Sequence, residues 1–600
     1  MFFPRGEGMA GIINIILKEN KFAGLNGNFN AGVSTNNAYH TFRQINFRNE
    51  KGNLFLNSAI RNDIRSGRGD NHRETYFNDV TMILDQKFSG EQGGRNYLIK
   101  FGLELYPNLN NTIGLTFFYS NGDRVGDRMI ETEETVIDTM IHYYRITDAN
   151  NDHTNLDMIL TYDRKFNNPN QKLSAFANYS TGTDNRMNSV ITMADSAELG
   201  FDANPEKTTT DNEKNEFNLQ MDYIHHFGKD FKLEMGYKET GRAYDNQFST
   251  YDIFQDGLDI KTADSLASNH FLLDENICAA YTQFSLQKGI FGLQMGLRGE
   301  TVITVSELVD TGEKFKNPYT SFFPNAILTI GPPVLQMQAS YSRRIQKPSY
   351  RQLNPAFYEL NQTSIRKGNP FLKPEYIDVA ELGFSRFNNS FTTSMTAYYR
   401  RITDLISSHK TNDGNVTTIS YENYDQQQNY GLEFILSGSL GKGFSLTVSE
   451  NLFSDIVDAS GAFDNEDYNE TSTGFFGRLS ANWNIAPSTV LMLTGFYRSP
   501  RDIPNGSLTS MSFSSLTIKK KFMDNQLAIL LKLNDVFNTM IFGFTTEGGN
   551  YFQESYRAFD SQIASISLEY HFGEMTDRSR YDRKSNGRKD DSMIGKVEIE

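Results

Sequence analysis

The sequence predicts an all-β fold, a transmembrane antiparallel β-barrel of about 22 strands, on three observations. Only 38% of the 600 residues are hydrophobic, yet 13% are aromatic, with 46 Phe and 30 Tyr. Apolar and polar residues alternate in many segments, which is typical of strands with one buried face. Tight turns also alternate with longer polar connections, the asymmetry of bacterial outer-membrane barrels with short periplasmic turns and long extracellular loops.

Composition excludes several other classes of protein. Mean hydropathy is −0.52, and no apolar run reaches the roughly 18 residues of a spanning helix, which excludes a polytopic helical membrane protein. Abundant aromatic residues exclude a disordered chain. The 58 Lys+Arg against 73 Asp+Glu give a net charge of −15, which argues against a nucleic-acid partner. The single cysteine, Cys278, forms no internal disulfide.

The alternation is clear from the middle of the chain to its end. In Phe217–Tyr223, apolar side chains recur at every second position. Near the C-terminus one face carries apolar residues, namely Ile566, Leu568, Tyr570 and Phe572. The other face carries Ser565, Ser567, Glu569 and His571. We expect the apolar face to contact lipid and Glu569 and His571 to face the lumen.

Turn signals set the strand count. Ten short turns are predicted at Glu50–Asn53, Pro107–Asn110, Asn167–Asn170, Gly228–Asp230, Lys288–Gly289, Gly331–Pro333, Asn388–Ser390, Leu440–Gly443, Ala486–Ser488 and Met523–Asn525. Long polar connections are predicted at Ser66–Gly94, Asp123–Asp152, Gly182–Asp211, Asp245–Leu272, Ile345–Lys373 and Val536–Phe559. A strand on each side of every turn, plus one at each end of the barrel, gives about 22. Tyr76–Phe88 also alternates, but a 23rd strand would separate the two ends across the membrane, so we assign it to an extracellular loop or a local hairpin within it.

Three segments resemble the TonB-dependent receptor superfamily, in its outer-membrane β-barrel branch. EGMAGIINIILKEN (Glu7–Asn20) resembles the last strand of the plug domain, through Glu7, Gly8, Gly11, Ile12, Ile13, Asn14 and Ile15. The segment Phe322–Phe384, with YSRRIQKPSYRQLNP and GNPFLKPEYIDVAELGF, resembles a block that runs from one strand through a long loop into the next. The matching residues of this family loop motif are Arg343, Arg344, Pro348, Ser349, Tyr350, Leu353, Asn354, Pro355, Gly368, Asn369, Pro370, Pro374 and Glu375. LKLNDVFNT (Leu531–Thr539) resembles a motif shortly before the final strand.

The resemblance implies a domain organisation and a partner. Residues 1–20 are expected to be a remnant of the plug, 21–573 the barrel, and 574–600 a flexible charged tail. Family members carry a signal peptide, a TonB box and a whole plug before the barrel, and none of these is visible ahead of residue 7. We therefore expect either a removed leader or a truncated front, and the TonB complex is a partner that the family implies although its box is absent here.

Several motifs were weighed against simpler explanations. Gly6–Gly11 matches G-x-G-x-x-G, but a β-rich segment follows it where a dinucleotide site needs a helix, so no cofactor is predicted. His225 and His226 lack neighbouring ligands with metal spacing, and an interfacial pair is the better interpretation. Asp148, Asn150 and Asp152 begin like a calcium loop but lack its sixth-position Gly and closing Glu, so no metal site is predicted.

Arginines near the predicted mouth leave two interpretations open. Arg343, Arg344 and Arg351 attract an anionic ligand, or they contact lipopolysaccharide or acidic neighbours, with equal weight for each. No Ser-His-Asp or Cys-His set stands out, so we predict no catalytic residues and no enzyme.

The resemblance implies uptake of a scarce ligand (siderophore, oligosaccharide or peptide) across the outer membrane of a Gram-negative-type bacterium. The expected partners are outer-membrane lipid, lipopolysaccharide and an unknown small ligand. The alternatives are a truncated or passive pore and a surface-binding barrel, because a fold does not fix a function.

Overall fold

The computed structural model describes residues 22–573 and 576–577, except 78–79, 138, 169, 195–205, 254–260, 264–267, 362–363, 414–415, 442, 459–468, 504–505 and 549–550. The predicted plug-strand motif at residues 7–15 and most of the predicted tail lie outside these described residues. Both therefore stay predictions.

Nearly all of the described chain is β-strand. The strands are β1 (Phe22–Ser34), β2 (Tyr39–Arg48), β3 (Gly52–Phe77), β4 (Val80–Asn108), β5 (Asn111–Val136), β6 (Thr139–Lys165), β7 (Gln171–Ala194), β8 (Glu206–Phe227), β9 (Phe231–Ile253), β10 (Lys261–Ala263), β11 (Asn269–Lys288), β12 (Phe291–Leu308), β13 (Glu313–Ile330), β14 (Leu335–Gln346), β15 (Phe357–Asn361), β16 (Ser364–Lys367), β17 (Glu375–Phe387), β18 (Phe391–Asp413), β19 (Val416–Ser439), β20 (Phe444–Asp458), β21 (Asn469–Ala486), β22 (Thr489–Arg498), β23 (Arg501–Ile503), β24 (Gly506–Leu508), β25 (Met511–Phe522), β26 (Leu527–Asn534), β27 (Ile541–Gly548), β28 (Tyr551–Phe559), β29 (Ala564–Phe572) and β30 (Thr576–Asp577). One short helix, α1 (Tyr350–Leu353), lies between β14 and β15. No helix within the described ranges has the length and apolar character needed to cross a membrane.

The strands close into one antiparallel barrel of 22 strands, as the sequence predicted. The barrel consists of β1–β9, β11–β14, β17–β22, β25, β26 and β29, each paired with the next. The last strand returns to the first, with Gly27 opposite Phe572. Closure leaves no unpaired edge along the barrel, which removes the aggregation hazard of an open sheet.

The ten predicted turns are confirmed, because each connects two consecutive barrel strands. Since neighbouring strands are antiparallel, all ten lie at one end of the barrel, where β1 also begins and β29 ends. The opposite end is more varied than predicted. Its connections at residues 35–38 and 309–312 are as short as the turns.

The predicted long loops are largely β-ladder, which corrects the interpretation of Ser66–Gly94 and Asp123–Asp152 as loops. β3 and β4 pair without interruption from Gly52 opposite Leu105 to Phe77 opposite Val80. The segment Tyr76–Phe88 is the upper part of this hairpin, so the strand count stays even. Polar strands were missed because a strand above the membrane has water on both faces and needs no apolar alternation.

Side-chain direction follows the predicted alternation at the C-terminal strand. Ile566, Leu568 and Tyr570 are 48%, 39% and 39% exposed on the outer, lipid-facing side. On the other face, Glu569 accepts a hydrogen bond from Lys519 Nζ at 2.6 Å, across to β25. Pairing of these two charges in the lumen avoids the cost of a charge in lipid.

The connection between β26 and β29 carries the third family segment and a buried carboxylate. Asp535 is fully buried, and its oxygens accept hydrogen bonds from the amides of Thr539 and Met540, both at 3.0 Å, and from the hydroxyl of Ser561. Burial raises the pKa of Asp535, but these hydrogen bonds outweigh it and hold the pKa below its usual value. The segment is therefore a structural clamp between β26 and β29.

Candidate functional site

The family loop motif forms a compact segment, residues 347–374, which we call the inner loop. It begins after β14 with one turn of helix. Ser349 precedes α1, and its backbone N–H and hydroxyl both donate to Gln352 Oε1, at 2.8 and 2.9 Å. The Gln352 side chain thereby satisfies the Ser349 amide, a backbone group at the start of the helix that the helix itself leaves unpaired.

The inner loop packs on the luminal side of the barrel wall. Leu353 and Leu372 form a buried cluster with Phe271 and Leu273, which are luminal residues of β11. Tyr350 stacks on Tyr244 of β9, with ring centroids 5.7 Å apart. Because burial of such side chains contributes about 1.5–3 kcal/mol each, this contact holds the loop inside the barrel mouth.

Asn354, Gly368 and Asn369 join the two ends of the inner loop. The amide of Gly368 donates to Asn354 O at 2.7 Å, and the amide of Asn369 donates to Gln352 O at 2.6 Å. A Cβ at Gly368 would lie 2.4 Å from Asn354 O, so only glycine fits. The Asn354 side chain donates to Asn269 Oδ1 at 3.2 Å and thereby ties the loop to β11.

The remaining motif residues surround the hydrogen-bonded contact between the two ends of the inner loop. Pro348, Pro355 and Pro370 are half-buried, and Pro374 is buried. Glu375 begins β17 and is 5% exposed, and its Oε1 accepts the amide N–H of Ile406 at 2.7 Å. The motif residues from 348 to 375 thus come together in one folded unit.

The three mouth arginines lie on protein groups. Arg343 Cζ lies 4.9 Å from the ring centroid of Tyr376, and Arg351 Cζ lies 5.7 Å from that of Tyr350. Arg344 donates to Ser342 Oγ at 3.4 Å. These contacts are with aromatic rings and a hydroxyl group, so they favour neither an anionic ligand nor lipopolysaccharide or acidic neighbours, and both interpretations stay open.

A chain of seven charged side chains runs along the luminal wall and ends at the inner loop. It consists of Lys214 and Glu216 (β8), Arg242 (β9), Glu275 (β11), Lys347 (inner loop), and Glu300 and Arg298 (β12). We call it the ionic chain. Successive N–O distances are 3.1, 3.3, 3.0, 4.0, 3.1 and 2.9 Å.

The ionic chain fixes the inner loop through Lys347. This side chain is 9% exposed and lies between Glu300, at 3.1 Å and 3% exposed, and Glu275, at 4.0 Å. Removing one member of a buried group of ion pairs leaves the charge of its partner buried and unpaired, which is costly. The ionic chain therefore resists rearrangement. Lys214 Nζ also lies 5.6 Å from the Tyr244 ring on which Tyr350 stacks, so both contacts converge on the loop.

Sequence reasoning missed the ionic chain. One signal was available, because Lys214 and Glu216, and likewise Arg298 and Glu300, are opposite charges two residues apart within predicted strands. Such spacing places both charges on one face of a strand. The pairing of Arg242 with Glu216 and Glu275 needed the register of three strands, which the sequence did not specify.

The rejected motifs form no ligand cluster. His225 stacks on Phe227 at 4.0 Å, beside the β8–β9 turn. Asp148, Asn150 and Asp152 lie at alternate positions within β6. Within the part of the chain that the structure describes, no group of three or more His, Cys, Asp and Glu side chains is placed to hold a metal ion.

Comparison with known proteins agrees with the barrel. The model of the outer membrane protein beta-barrel family matches residues 164–570, more than half of the chain. No curated protein sequence matches it. Among solved structures, the siderophore receptor PirA from Pseudomonas aeruginosa is similar with a TM-score of 0.54 and 12% identity, over 92% of this chain and 80% of that one.

Two transporters are similar to the same degree. The copper transporter OprC has a TM-score of 0.60 at 10% identity, over 93% of this chain and 82% of its own. The ferric citrate transporter FecA has a TM-score of 0.60 at 11% identity, over 92% of this chain and 79% of its own. At these identities the likeness establishes a shared fold.

Proposed function

The chain belongs to the outer membrane protein beta-barrel family, in the outer membrane of a Gram-negative-type bacterium, and from this premise we propose that it takes up a scarce ligand across that membrane. The ligand is a siderophore, an oligosaccharide or a peptide. Its solved structural neighbours are receptors and transporters. As in the family that the sequence resembles, the energy would come from a TonB complex.

The main observation in support of this proposal is the inner loop, which Lys347 holds against the luminal wall. A barrel of 22 strands is too wide to fill with its own side chains, and known barrels of this size carry a plug. Desolvating the buried charges that hold the loop costs several kcal/mol, and this cost is offset where a fixed loop position serves ligand binding. A receptor gains a rigid surface on which a ligand is held at the mouth.

Lipid and lipopolysaccharide are the partners of the outer face in this proposal. Tyr97 and Tyr119, 38% and 41% exposed, lie on the outer face of β4 and β5, where an aromatic belt meets the headgroups. The role of the family loop motif is to shape the ligand-facing surface of the mouth. In this proposal residues 1–20 are a remnant of the plug domain, its last strand.

Accumulation of labelled ligand separates receptor from pore. Cells that lack or carry the protein are given ferric siderophore, oligosaccharide or peptide at nanomolar concentration, with and without a protonophore. A receptor gives saturable accumulation that the protonophore abolishes. A passive pore gives a rate that rises linearly with concentration and ignores the protonophore, and that result would refute the proposal.

A pair of lysine variants tests the inner loop in the same assay. Lys347→Met removes the luminal clamp, and we expect accumulation to fall about tenfold as the loop loses its fixed position. Lys314→Met is the matched control, because Lys314 is 65% exposed and its one ion pair among the described residues is with Glu307. Equal effects of the two variants would remove the inner loop from the proposal.

A further inference from the structure

The luminal and outer faces of one part of the wall carry opposite charges. Strands β3–β7 are paired far beyond the membrane, and their register assigns each residue to one face. Outer positions are identified by the lipid-facing residues lower on the same strands, such as Ile99, Met158 and Tyr179. Every second residue above them shares that face, because side-chain direction alternates along a strand.

Five arginines occupy the luminal face just above the aromatic belt, and we call them the basic patch: Arg61, Arg65, Arg124, Arg128 and Arg186. All five are solvent-exposed. Residues that are paired across neighbouring strands form rows around the wall. In the rows that contain these arginines, the only acidic residues on the luminal face are Asp63 and Asp184. On the outer face of those rows lie five acidic residues and a single arginine: Glu91, Asp123, Asp127, Asp148, Asp152 and Arg95.

The patch has unneutralised charge inside a chain whose net charge is −15. Asp63 is shared by Arg61 and Arg65, at 3.2 and 3.0 Å, and Asp184 pairs with Arg186 at 3.1 Å. Arg124 and Arg128 have no ion pair with any residue that the structure describes. The opposite signs of the two faces mean that the positive potential is directed into the lumen and the negative potential away from it.

Geometry favours an extended ligand over a compact one. Arg124 and Arg128 are four residues apart on one strand, about 13 Å, while Arg124 and Arg186 lie in one row two strands apart, about 10 Å. From β3 to β7 the patch covers about 19 Å across the strands. A small chelate about 10 Å across reaches two of the arginines, whereas an extended polyanion reaches all five.

Amide side chains lie between the arginines on the same face, namely Gln92, Asn96, Asn151 and Asn188. Asn151 lies directly between Arg124 and Arg186, and its Oδ1 has no hydrogen-bond partner in the described chain. Amides both donate and accept, which suits the hydroxyl groups of a sugar. Gly94, opposite Arg124, and Gly126, opposite Gln92, add no side chains of their own to this face.

We propose that the basic patch binds an anionic oligosaccharide, carrying sulfate or carboxylate groups, on its way into the lumen. The inference rests on the proposed uptake function and narrows its ligand class. Guanidinium groups bind such anions through charge-assisted, often bidentate hydrogen bonds, and the amides contact hydroxyl groups between the charges. The acidic outer face repels the same ligand and leaves the lumen as its only favourable surface on this wall.

Binding to the purified full chain in detergent tests the inference. The probes are dextran sulfate oligosaccharide, neutral dextran of equal length and poly-aspartate, each fluorescently labelled. We expect dextran sulfate to bind at least tenfold more tightly than neutral dextran, and this preference to disappear at 1 M salt, where the screening length is about 3 Å. Equal binding of the two dextrans would overturn the proposal, and tighter binding of poly-aspartate would overturn its choice of a sugar.

Paired variants locate the binding surface. Arg124→Gln with Arg128→Gln should weaken dextran sulfate binding about tenfold, and lysine at both positions should restore most of it because the charge returns. Arg95→Gln, on the outer face of the same rows, is the control and should leave binding unchanged. If the luminal pair has no effect, or Arg95→Gln has the same effect, the site is wrong. Binding without accumulation in cells would instead count against the uptake function alone.

Discussion

The barrel has a tall side and a low side, and they are held together in different ways. The tall side, β3–β9, has strands of 22–29 residues, far beyond the roughly 9–11 residues that cross a bilayer. The low side, β22, β25, β26 and β29, has strands of 8–12 residues. On the tall side, backbone pairing between strands continues above the membrane. On the low side the strands end near the membrane, and side-chain hydrogen bonds hold the connections between them in place.

Asp535 and the β3–β4 ladder illustrate this difference. On the low side, one buried carboxylate collects the donors of Thr539, Met540 and Ser561 to hold a connection in place. On the tall side, the same task falls to a ladder that runs unbroken to Phe77 and Val80. A single polar residue is therefore critical on the low side, while the tall side spreads its stability over many equivalent bonds.

The largest expected effect is at the low-side anchor. Asp535→Ala leaves buried donors unpaired, and we expect it to lower the free energy of unfolding by about 3–5 kcal/mol. Urea unfolding in detergent measures this change. Thr132→Ala is the matched tall-side control, because Thr132 is also fully buried but is uncharged, and its hydroxyl accepts a side-chain hydrogen bond from Gln86 at 3.3 Å. An equal loss at both sites would contradict the difference between the two sides.

A smaller effect distinguishes lipid from water on the outer face. Leu568→Arg puts a charge on the lipid-facing side of β29 and should cost about 2–4 kcal/mol in folding into bilayers. Met129→Arg lies on the outer face of β5 above the membrane and should change folding by less than about 0.5 kcal/mol. Ser567→Arg, on the luminal face, should also cost less than Leu568→Arg. Similar costs for all three would show that the assigned faces are wrong.

The smallest expected effect is the pH dependence of the tall-side hairpin. His72 Nδ1 lies 2.7 Å from Asp85 Oδ1 and its Nε2 lies 3.2 Å from Glu74 Oε1. The hydrogen bond to Asp85 raises the pKa of His72, burial opposes it, and Glu74 raises it further. Because the folded value is the higher one, the stabilisation is complete below the unfolded pKa of about 6.5 and is lost as pH rises through the folded value.

Hydrogen exchange measures this effect in residues 72–85. After correction for intrinsic exchange rates, we expect these amides to exchange about threefold faster at pH 8 than at pH 5, a modest change because the pair is partly exposed. His72→Gln should abolish the pH dependence. Persistence of the dependence in that variant would assign it to another group.

The sequence determined the class of the fold, the positions of the ten short turns at one end of the barrel and the parity of the strands. Alternation in segments such as Ile566–Phe572 sets the lipid-facing side, because a slip of one residue would turn every apolar side chain into the lumen. Turn residues at one end fix where strands reverse. These signals are local, so they are readable from neighbouring residues alone.

Tertiary structure alone decided how tall each side is and which charges meet. The polar ladders of β3–β6 looked like loops because their pairing, rather than a buried face, keeps them extended. The ionic chain joins Glu216, Glu275 and Lys347 from distant parts of the sequence, and the basic patch gathers arginines from three strands. Both depend on the register between strands, which closure of the barrel sets and no short stretch of sequence specifies.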